Sequence, residues 1–296
     1  MLHTESFRAM DTDIDVIIEA ETRPVAAFLS VRMLFEMQEQ RFSRFRPGSL
    51  LSRLNRGESI RDRHLERVCR LAIEGHARTG GLFNPMVLTA LEGAGYDVTF
   101  SGVRGGSPRT MTIPDPADCL VIGGDEVSLR QGALDLGGIV KGWTADLGVE
   151  LLRGEYEDVF INAGGDIRVA GAEPGADGWL VAVDSPLAGV PDPWEGALRG
   201  AVATSTTLKR RWRTADGGFA HHLIDPGTGM PARSPFAQVT AWAAEAWLAE
   251  VWSKAVLIGG ESAAEAAVRA GHAIVAIGCD GTVLNREQSA VSGGSG

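Results

Sequence analysis

Three glycine-rich turns, each at the end of a predicted strand, constrain this chain more than any other feature. They lie at residues 137–138, 164–165 and 227–229, the last inside the segment HHLIDPGTGMP at 221–231. Glycine tolerates positive φ and lets the backbone approach a ligand closely, whereas proline fixes φ. A surface hairpin would explain any one of these turns, but three in one chain indicate a shared binding surface.

The composition predicts a globular protein without a nucleic-acid surface. Its 296 residues are 44% apolar, which is enough for a large core. The formal net charge of −10 argues against nucleic-acid binding, because phosphate backbones require clustered lysine and arginine. We predict a single domain over residues 1–290, which could comprise two lobes, followed by a flexible tail at 291–296.

Cysteine usage and the first residues predict a cytoplasmic protein. Cys69, Cys119 and Cys279 stand singly, outside any CxxC or Cys/His spacing, and their odd number favours a reducing compartment. The segment MLHTESFRAMDTD lacks the apolar centre of a signal peptide, and no apolar stretch is long enough to span a bilayer. We therefore expect no membrane partner.

Hydrophobic periodicity predicts an α+β fold with a central mixed sheet flanked by helices. We expect strands at 12–20, 119–122, 127–130 and 133–136, and helices at 24–41, 62–78, 244–257 and 261–270. The segments WLVAVDSP and GALRGAVATS are expected to continue the central sheet.

The helix predicted at 24–41 carries an apolar stripe. Steps of three and four residues place Ala26, Leu29, Met33 and Met37 on one face. Methionine is a flexible filler of irregular cores. We interpret this stripe as the buried face of the helix.

The segment ALDLGGIVKGWTADLGVELL at 133–152 combines the features of an anion site. An apolar stretch runs into Gly137 and Gly138, and a helix follows within one or two residues. Backbone N–H groups at a helix N-terminus attract an anion such as a pyrophosphate, and Lys141 would add a full positive charge. Neither a Walker loop nor a GxGxxG fingerprint is present, so a packing turn remains the alternative.

A basic and aromatic segment, FSRFRPG at 42–48, offers a second type of contact. Arg44, Phe45 and Arg46 could form a lip for a planar anionic ligand. A solvated turn is the alternative interpretation.

Seven motifs follow one another along the chain: FRAMDT at 7–12, FSRF at 42–45, GGLFNP at 80–85, DLGGIVKGWTAD at 135–146, NAGGDIR at 162–168, ATS at 203–205 and HLIDPGTGMP at 222–231. Together, over residues 7–278, they resemble one family, the ApbE family of flavin transferases.

The resemblance implies a reaction. ApbE-like enzymes bind FAD, cleave its pyrophosphate and transfer FMN to a Thr or Ser hydroxyl of an acceptor flavoprotein, with release of AMP. Some members instead hydrolyse FAD to FMN and AMP. A magnesium ion is expected at the pyrophosphate. Such chemistry depends on positioning and on charge neutralisation of phosphate oxygens.

The resemblance also implies site residues. It gives catalytic roles to His222, Asp225 and Lys141, and it leaves His221, outside the motif, as structural. It implies that FAD is bound by residues from most of the motifs, namely Met10, Phe45, Gly137, Gly138, Lys141, Asp146, Gly164, Gly165, Asp166, Ser205, His222, Asp225 and Thr228.

The expected metal site departs from the family's pattern. There an Asp and, four residues later, a Thr hold the metal together with a backbone carbonyl; here those positions are Glu250, Lys254 and the carbonyl of Gly138. A protonated lysine cannot ligate a metal. Lys254 could replace the metal with its own charge, the metal could bind elsewhere, or catalysis could be lost, which would leave a non-catalytic FAD-binding protein.

Smaller departures lie in the earlier motifs. Asp11 stands where the family usually has Gly, Asn84 where it has Asp, and Met86 where it has Thr. Asn84 keeps the hydrogen-bonding shape of Asp but removes a charge.

Overall fold

The computed structural model describes residues 1–287, and the predicted tail at 291–296 lies outside them. The helices are α1 (Val25–Phe42), α2 (Leu50–Asn55), α3 (Arg63–Arg78), α4 (Leu88–Gly93), α5 (Pro116–Cys119), α6 (Val140–Leu152) and α7 (Ala246–Arg269). The strands are β1 (Leu2–Ala9), β2 (Thr12–Glu19), β3 (Ile60–Arg61), β4 (Leu120–Gly123), β5 (Glu126–Leu129), β6 (Val159–Ala163), β7 (Asp166–Ala170), β8 (Trp179–Val183), β9 (Trp194–Leu198), β10 (Ala201–Thr206), β11 (Arg211–Arg213), β12 (Phe219–His221), β13 (Ile224–Asp225), β14 (Met230–Pro231), β15 (Phe236–Ala243), β16 (Ile274–Gly278) and β17 (Val283–Arg286).

An eight-stranded sheet forms the centre of the fold, in the order β1-β2-β6-β7-β10-β15-β16-β17. The predicted α+β class, with a central sheet and flanking helices, is confirmed. The strand directions differ from the expected mixed sheet, because every pair of neighbours is antiparallel. Short turns join β1 to β2, β6 to β7 and β16 to β17, and a short turn can join only antiparallel neighbours.

The two faces of the sheet have different partners, as the alternation along β7 illustrates. Asp166 and Arg168 point to the helices, where they meet residues of α6. Ile167 and Val169 point to the other face and pack with Trp179 of β8. Side chains on a strand alternate between faces, so one strand serves both layers. Strands β8 and β9 form a separate two-stranded sheet that packs on that face. The expectation that WLVAVDSP continues the central sheet is therefore wrong.

The buried face of α1 is not the predicted one. Leu29, Met33 and Met37 are 53%, 59% and 42% exposed, whereas Phe28 and Phe35 are buried. Helix α1 carries two apolar stripes, and burying the one with two phenylalanines removes more apolar surface from water. Spacing alone could not rank the two stripes.

The segment predicted as a strand at 133–136 belongs to none of the described strands. The side chain of Asn55 takes the place of a partner strand: its Nδ2 donates to the Leu134 carbonyl at 2.9 Å, and its Oδ1 accepts from the Leu134 N–H at 2.8 Å. Leu134 and Leu136 are fully buried. Their apolar pattern therefore reflects burial rather than membership of a sheet.

Helix α7 unites the two helices predicted at 244–257 and 261–270, with an irregular residue, Gly260, at φ 67° between them. Its N-terminus touches α6 backbone to backbone. A Cβ atom on Gly142 would lie 2.6 Å from the carbonyl carbon and oxygen of Ala246 and 2.8 Å from the Trp247 nitrogen. This close approach brings α7 against the start of α6.

We expect Gly142→Ala to lower the free energy of unfolding by about 3 kcal/mol, because the added methyl must separate α6 from α7. Alanine is the better helix former by about 1 kcal/mol, so without this contact the substitution would stabilise the protein. Urea unfolding measures the difference.

Gly154→Ala is the matched control, since a Cβ there meets nothing within 4 Å. A change within about 0.5 kcal/mol is expected for this variant. Equal effects of the two substitutions would contradict the contact.

Candidate functional site

A cleft opens where the β1–β2 turn, the loop after α1 and the segment before α6 meet. It consists of two adjoining cavities of about 360 Å³ and about 100 Å³, whose walls share Tyr96, Asp135, Gly137 and Arg210. Several residues implicated by the sequence line it, namely Met10, Phe45, Gly137, Gly138, Lys141, His222 and Lys254. Apolar walls with a few charged groups are typical of a small-molecule site.

A stacked arginine forms one wall of the larger cavity. The guanidinium of Arg44 lies 4.2 Å from the ring centroid of Phe45 and 4.4 Å from that of Tyr96. Its side chain is 7% exposed and its Nε lies 2.9 Å from Asp135 Oδ2. The predicted aromatic and cationic lip is thus built by Arg44 and Phe45, whereas Arg46 pairs with Glu39 outside the stack.

The β1–β2 turn, which also lines the larger cavity, has a left-handed conformation. Met10 and Asp11 have φ angles of 52° and 58°. The Met10 N–H donates to Glu39 Oε2 at 2.9 Å. A positive φ explains why glycine suits position 11, and aspartate is among the residues that tolerate it. Here the Asp11 carboxylate also lies 3.6 Å from Arg210, which lines both cavities.

A buried cluster of two acids and two lysines lies at the junction of the cavities. Lys141 Nζ is 2.6 Å from Asp166 Oδ2 and 2.6 Å from Glu250 Oε1. Lys254 Nζ donates to the same Glu250 Oε1 at 3.0 Å. The second Glu250 oxygen accepts from the Gly142 N–H at 3.0 Å. The four charges cancel.

The cluster shifts the pKa values of its members. Burial alone would lower the pKa of Lys141, but Asp166 and Glu250 raise it above its ordinary value. Burial alone would raise the pKa of Glu250, but the two lysines and the Gly142 N–H lower it to about 2. Burial and Glu250 raise the pKa of Asp166 to about 6. Burial lowers the pKa of Lys254, and Glu250 opposes that shift.

His222 is a neutral imidazole in the smaller cavity. Burial, with Arg210 and Lys254 nearby, lowers its pKa well below the ordinary range. Its buried Nδ1 has no hydrogen-bond partner among residues 1–287. Such an atom is costly unless a ligand uses it. The neighbouring His221 bonds backbone atoms through both ring nitrogens, as a structural residue would.

The start of α6 is less free for an anion than the sequence predicted. The N–H groups of residues 139 and 140 donate to the Leu136 carbonyl, that of Gly137 to Asp135 Oδ1 and that of Gly142 to Glu250. These donors are used within the protein. The positive charge at the cleft therefore comes chiefly from side chains.

A magnesium site at Gly138 and Glu250 does not fit these residues. Magnesium takes oxygen ligands, and the Glu250 oxygens already accept from two ammonium groups and a backbone N–H. A divalent cation there would repel both lysines. Within the described chain, no group of three His, Cys, Asp or Glu residues is placed to hold a metal. The expectation that Gly138 and Glu250 are metal ligands stays a prediction, which these hydrogen bonds do not favour.

Four of the implicated residues outside the cleft walls lie in turns. Asp225 and Thr228 bond within their own turn: Asp225 Oδ1 accepts from Gly227 N–H and Oδ2 from the Thr228 hydroxyl, both at 2.9 Å. Asp225 lines a separate depression with His76. Gly164 and Gly165 form the β6–β7 turn, with φ angles of 65° and 97°. They shape this turn rather than meet the cavities.

Asp146 and Ser205 hold α7 in place instead of lining the cavities. Asp146 accepts from the N–H groups of Ala246 and Trp247 at 2.8 and 3.0 Å, so it caps a helix that begins 100 residues later. Ser205 Oγ lies 2.8 Å from Ser253 Oγ and links β10 to α7. Both residues support the position of Glu250 on α7.

The sequence reasoning missed Tyr96 and Arg210, which line both cavities. The signal for Arg210 was the basic triplet 209–211 in an otherwise acidic chain. Tyr96 follows a glycine turn and is one of only two tyrosines. Neither residue type specifies a ligand without the three-dimensional arrangement.

We expect Asp146→Ala to lower the free energy of unfolding by about 3 kcal/mol, because two buried N–H groups and Arg168 lose their acceptor. Asp146→Asn keeps an acceptor and should lose about half as much. Thermal melts measure both variants. An unchanged melting temperature for Asp146→Ala would contradict the capping role.

The same carboxyl makes stability depend on pH. Burial raises the pKa of Asp146 to about 7, although the two backbone N–H groups and Arg168 act to lower it. Between about pH 4 and pH 7 the folded state retains the proton that the unfolded chain has released, so this group's contribution to stability falls as pH rises. Asp146→Asn cannot titrate. Between pH 5 and pH 7.5 the melting temperature of Asp146→Asn should therefore rise relative to that of the wild type. A difference in melting temperature that is the same at both pH values would contradict the raised pKa.

None of the helices between residues 1 and 287 combines the length and apolarity that a bilayer crossing requires.

Relatives share both sequence and fold with this chain. A protein of Treponema pallidum named FAD:protein FMN transferase is 28% identical over 242 residues, which are 74% of this chain and 67% of the relative. A protein of Vibrio cholerae with the same name is 32% identical over 110 residues, so the matched part spans 36% of this chain and 33% of that relative.

Solved structures of ApbE proteins have the same fold. The ApbE protein of Thermotoga maritima superimposes with a TM-score of 0.85 at 24% identity, over 97% of both chains. The flavin transferase ApbE of Vibrio cholerae does so with a TM-score of 0.78 at 21% identity, over 98% of this chain and 97% of the other. A sequence model of the ApbE family matches residues 10–277. The chain therefore belongs to the ApbE family.

Proposed function

We propose that this protein is an FAD:protein FMN transferase, which moves FMN from FAD to a Thr or Ser hydroxyl of an acceptor flavoprotein and releases AMP. One observation carries the proposal: the stacked wall of Arg44, Phe45 and Tyr96 is continuous with a cavity that holds Lys254, Arg210 and a neutral His222. Planar walls suit a flavin or adenine ring, and the cations suit a pyrophosphate. The names of the relatives support the same activity.

The reaction is a substitution at the phosphorus atom of the FMN half. The acceptor oxygen forms a bond to this phosphorus, the bond to the bridging oxygen breaks, and AMP leaves with that oxygen. The acceptor's proton passes to the unprotonated ring nitrogen of His222, which is neutral near pH 7 because burial lowers its pKa. Lys254 and Arg210 face the charge on the phosphate oxygens.

Lys141 acts through its neighbours in this scheme. Its ammonium holds Asp166 and Glu250, each at 2.6 Å, and so fixes α7 relative to β7. We assign it a positioning role rather than the catalytic role implied by the family motif. Asp225, engaged in its own turn, shapes the segment that presents His222.

We also propose that the protein acts in a reducing compartment such as the cytoplasm. Cys69 and Cys119 are buried and unpaired, which suits a compartment that keeps thiols reduced.

A test of the transfer uses FAD and a cell extract from the source organism as the pool of acceptors. Transfer predicts covalent flavin fluorescence on a denaturing gel, with AMP released in equal amount to the flavin attached. Equal amounts of AMP and free FMN, independent of extract, would instead indicate FAD hydrolysis. FAD binding with neither product would indicate a binding protein.

We expect Arg210→Ala to weaken FAD binding about tenfold, because one phosphate-facing cation is lost. Arg211→Ala is the matched control. The Arg211 guanidinium stacks on Phe219, 4.1 Å from the ring centroid, and lines a different depression. Flavin fluorescence titration measures both affinities. Similar losses for the two variants would contradict a specific role for Arg210.

His222→Asn should reduce turnover by about 10²- to 10⁴-fold, the usual contribution of a general base, while FAD affinity changes little. Because the pKa of His222 lies well below its ordinary value, its base form dominates in the free enzyme from pH 6 to 8. The wild-type kcat/KM should therefore show no inflection from this group in that range. Unimpaired turnover in His222→Asn would exclude its role as the base.

A further inference from the structure

Lys254 occupies a position where its ammonium serves both the buried cluster and the cleft. Its side chain is 13% exposed and lines the smaller cavity with Gly138, His222 and Arg210. Its Nζ donates to Glu250 Oε1, the same oxygen that accepts from Lys141. The Lys254 ammonium therefore belongs to the buried cluster and also borders the smaller cavity.

The charge balance shows what Lys254 contributes. The Lys141 ammonium pairs with two carboxylates, those of Asp166 and Glu250, so without Lys254 these three groups would carry a net charge of −1. A negative cluster beside the cavity would repel a phosphate. Lys254 brings the cluster to zero, and Arg210 lines the same cavity.

The side chain of Lys254 also fills the space beside the segment before α6. A Cβ atom on Gly138 would lie 3.3 Å from Lys254 Cε and 3.4 Å from Cδ. The ammonium contacts two oxygens of Glu250, its carboxylate at 3.0 Å and its backbone carbonyl at 3.5 Å. Oxygen atoms of these kinds are the ones a divalent cation would use.

Most backbone donors at the start of α6 are already used. The N–H groups of residues 137, 139, 140 and 142 have acceptors within the protein, whereas those of residues 138 and 141 have none among the described residues. A pyrophosphate in the smaller cavity would therefore depend mainly on side-chain cations.

We propose that Lys254 supplies, from within the chain, the positive charge that holds the pyrophosphate of FAD, so that binding and transfer need no divalent metal ion. The inference rests on the proposed function. It assigns Lys254 as a binding residue, with Glu250 as the group that orients it.

Equilibrium binding of FAD tests the proposal, first on the wild-type protein after treatment with EDTA and then with added Mg²⁺. Flavin fluorescence should give dissociation constants that agree within twofold. A tenfold weaker affinity in EDTA would overturn the proposal. This comparison needs no variant and so does not depend on the folding of one.

The variants test the residue itself. Lys254→Met should weaken FAD binding at least tenfold in EDTA, whereas Lys254→Arg should retain most of the affinity. Lys209→Met, which removes an exposed lysine, is the matched control and should bind as the wild type does. Thermal melts establish that each variant is folded. Wild-type affinity in folded Lys254→Met would overturn the proposal.

Lys254→Thr restores the residue type expected from the family pattern. Its FAD affinity should be low in EDTA and should rise on addition of Mg²⁺, a response that the wild type lacks. Equal Mg²⁺ responses of wild type and variant would count against the inference.

Transfer assays separate this inference from the proposed function. Transfer that requires Mg²⁺ would overturn the inference and leave the function intact. Metal-independent FAD binding without any transfer would support the role of Lys254 and overturn the function. Absence of FAD binding under both conditions would overturn both.

Discussion

The ion pairs around Lys141 connect three elements beside the cleft. Lys141 lies in the first turn of α6, Asp166 begins β7 and Glu250 lies on α7, and both carboxylates approach one ammonium at 2.6 Å. Removing one partner would leave an uncompensated buried charge. The free-energy cost of that charge exceeds the stability that the intact pairs add relative to apolar residues of similar size. The cluster therefore selects one arrangement of the sheet and the two helices, and the position of the cleft follows from that arrangement.

This arrangement depends on backbone contacts as well as on charge. Gly142 lets α6 touch the first residues of α7, and Asp146, one helical turn further on, caps the N-terminus of α7. Glu250 then reaches the Gly142 N–H. One segment of α6 thus provides the close approach, the cap and the ammonium, which gives a physical reason for Gly142, Asp146 and Lys141 in this one motif.

Much of the fold follows from local sequence, but the function of single site residues does not. Periodicity located the long helices α1, α3 and α7 and the central strand β2, and the glycine turns at 164–165 and 227–229 marked strand ends. It could not rank the two apolar stripes of α1, because their order depends on which one meets the sheet. Nor could it separate Asp146 from Asp166: both are buried carboxylates in motifs, yet one caps α7 and the other pairs with Lys141. Arg210 and Tyr96 reach the cleft from distant segments, so only tertiary packing identifies them.

Two departures from the family pattern, at Asp11 and Lys254, line the two adjoining cavities of the same cleft. Asp11 keeps the positive φ that glycine would supply, and its carboxylate lies 3.6 Å from Arg210. Lys254 adds an ammonium that shares Glu250 with Lys141. Each new charge therefore has an opposite charge beside it, which limits its cost in a poorly solvated site. As a result, the smaller cavity is lined by two cations that are side chains of the protein, the Arg210 guanidinium and the Lys254 ammonium. Cations fixed in this way need no recruitment from solvent, and the chain itself then determines the charge that a bound pyrophosphate meets.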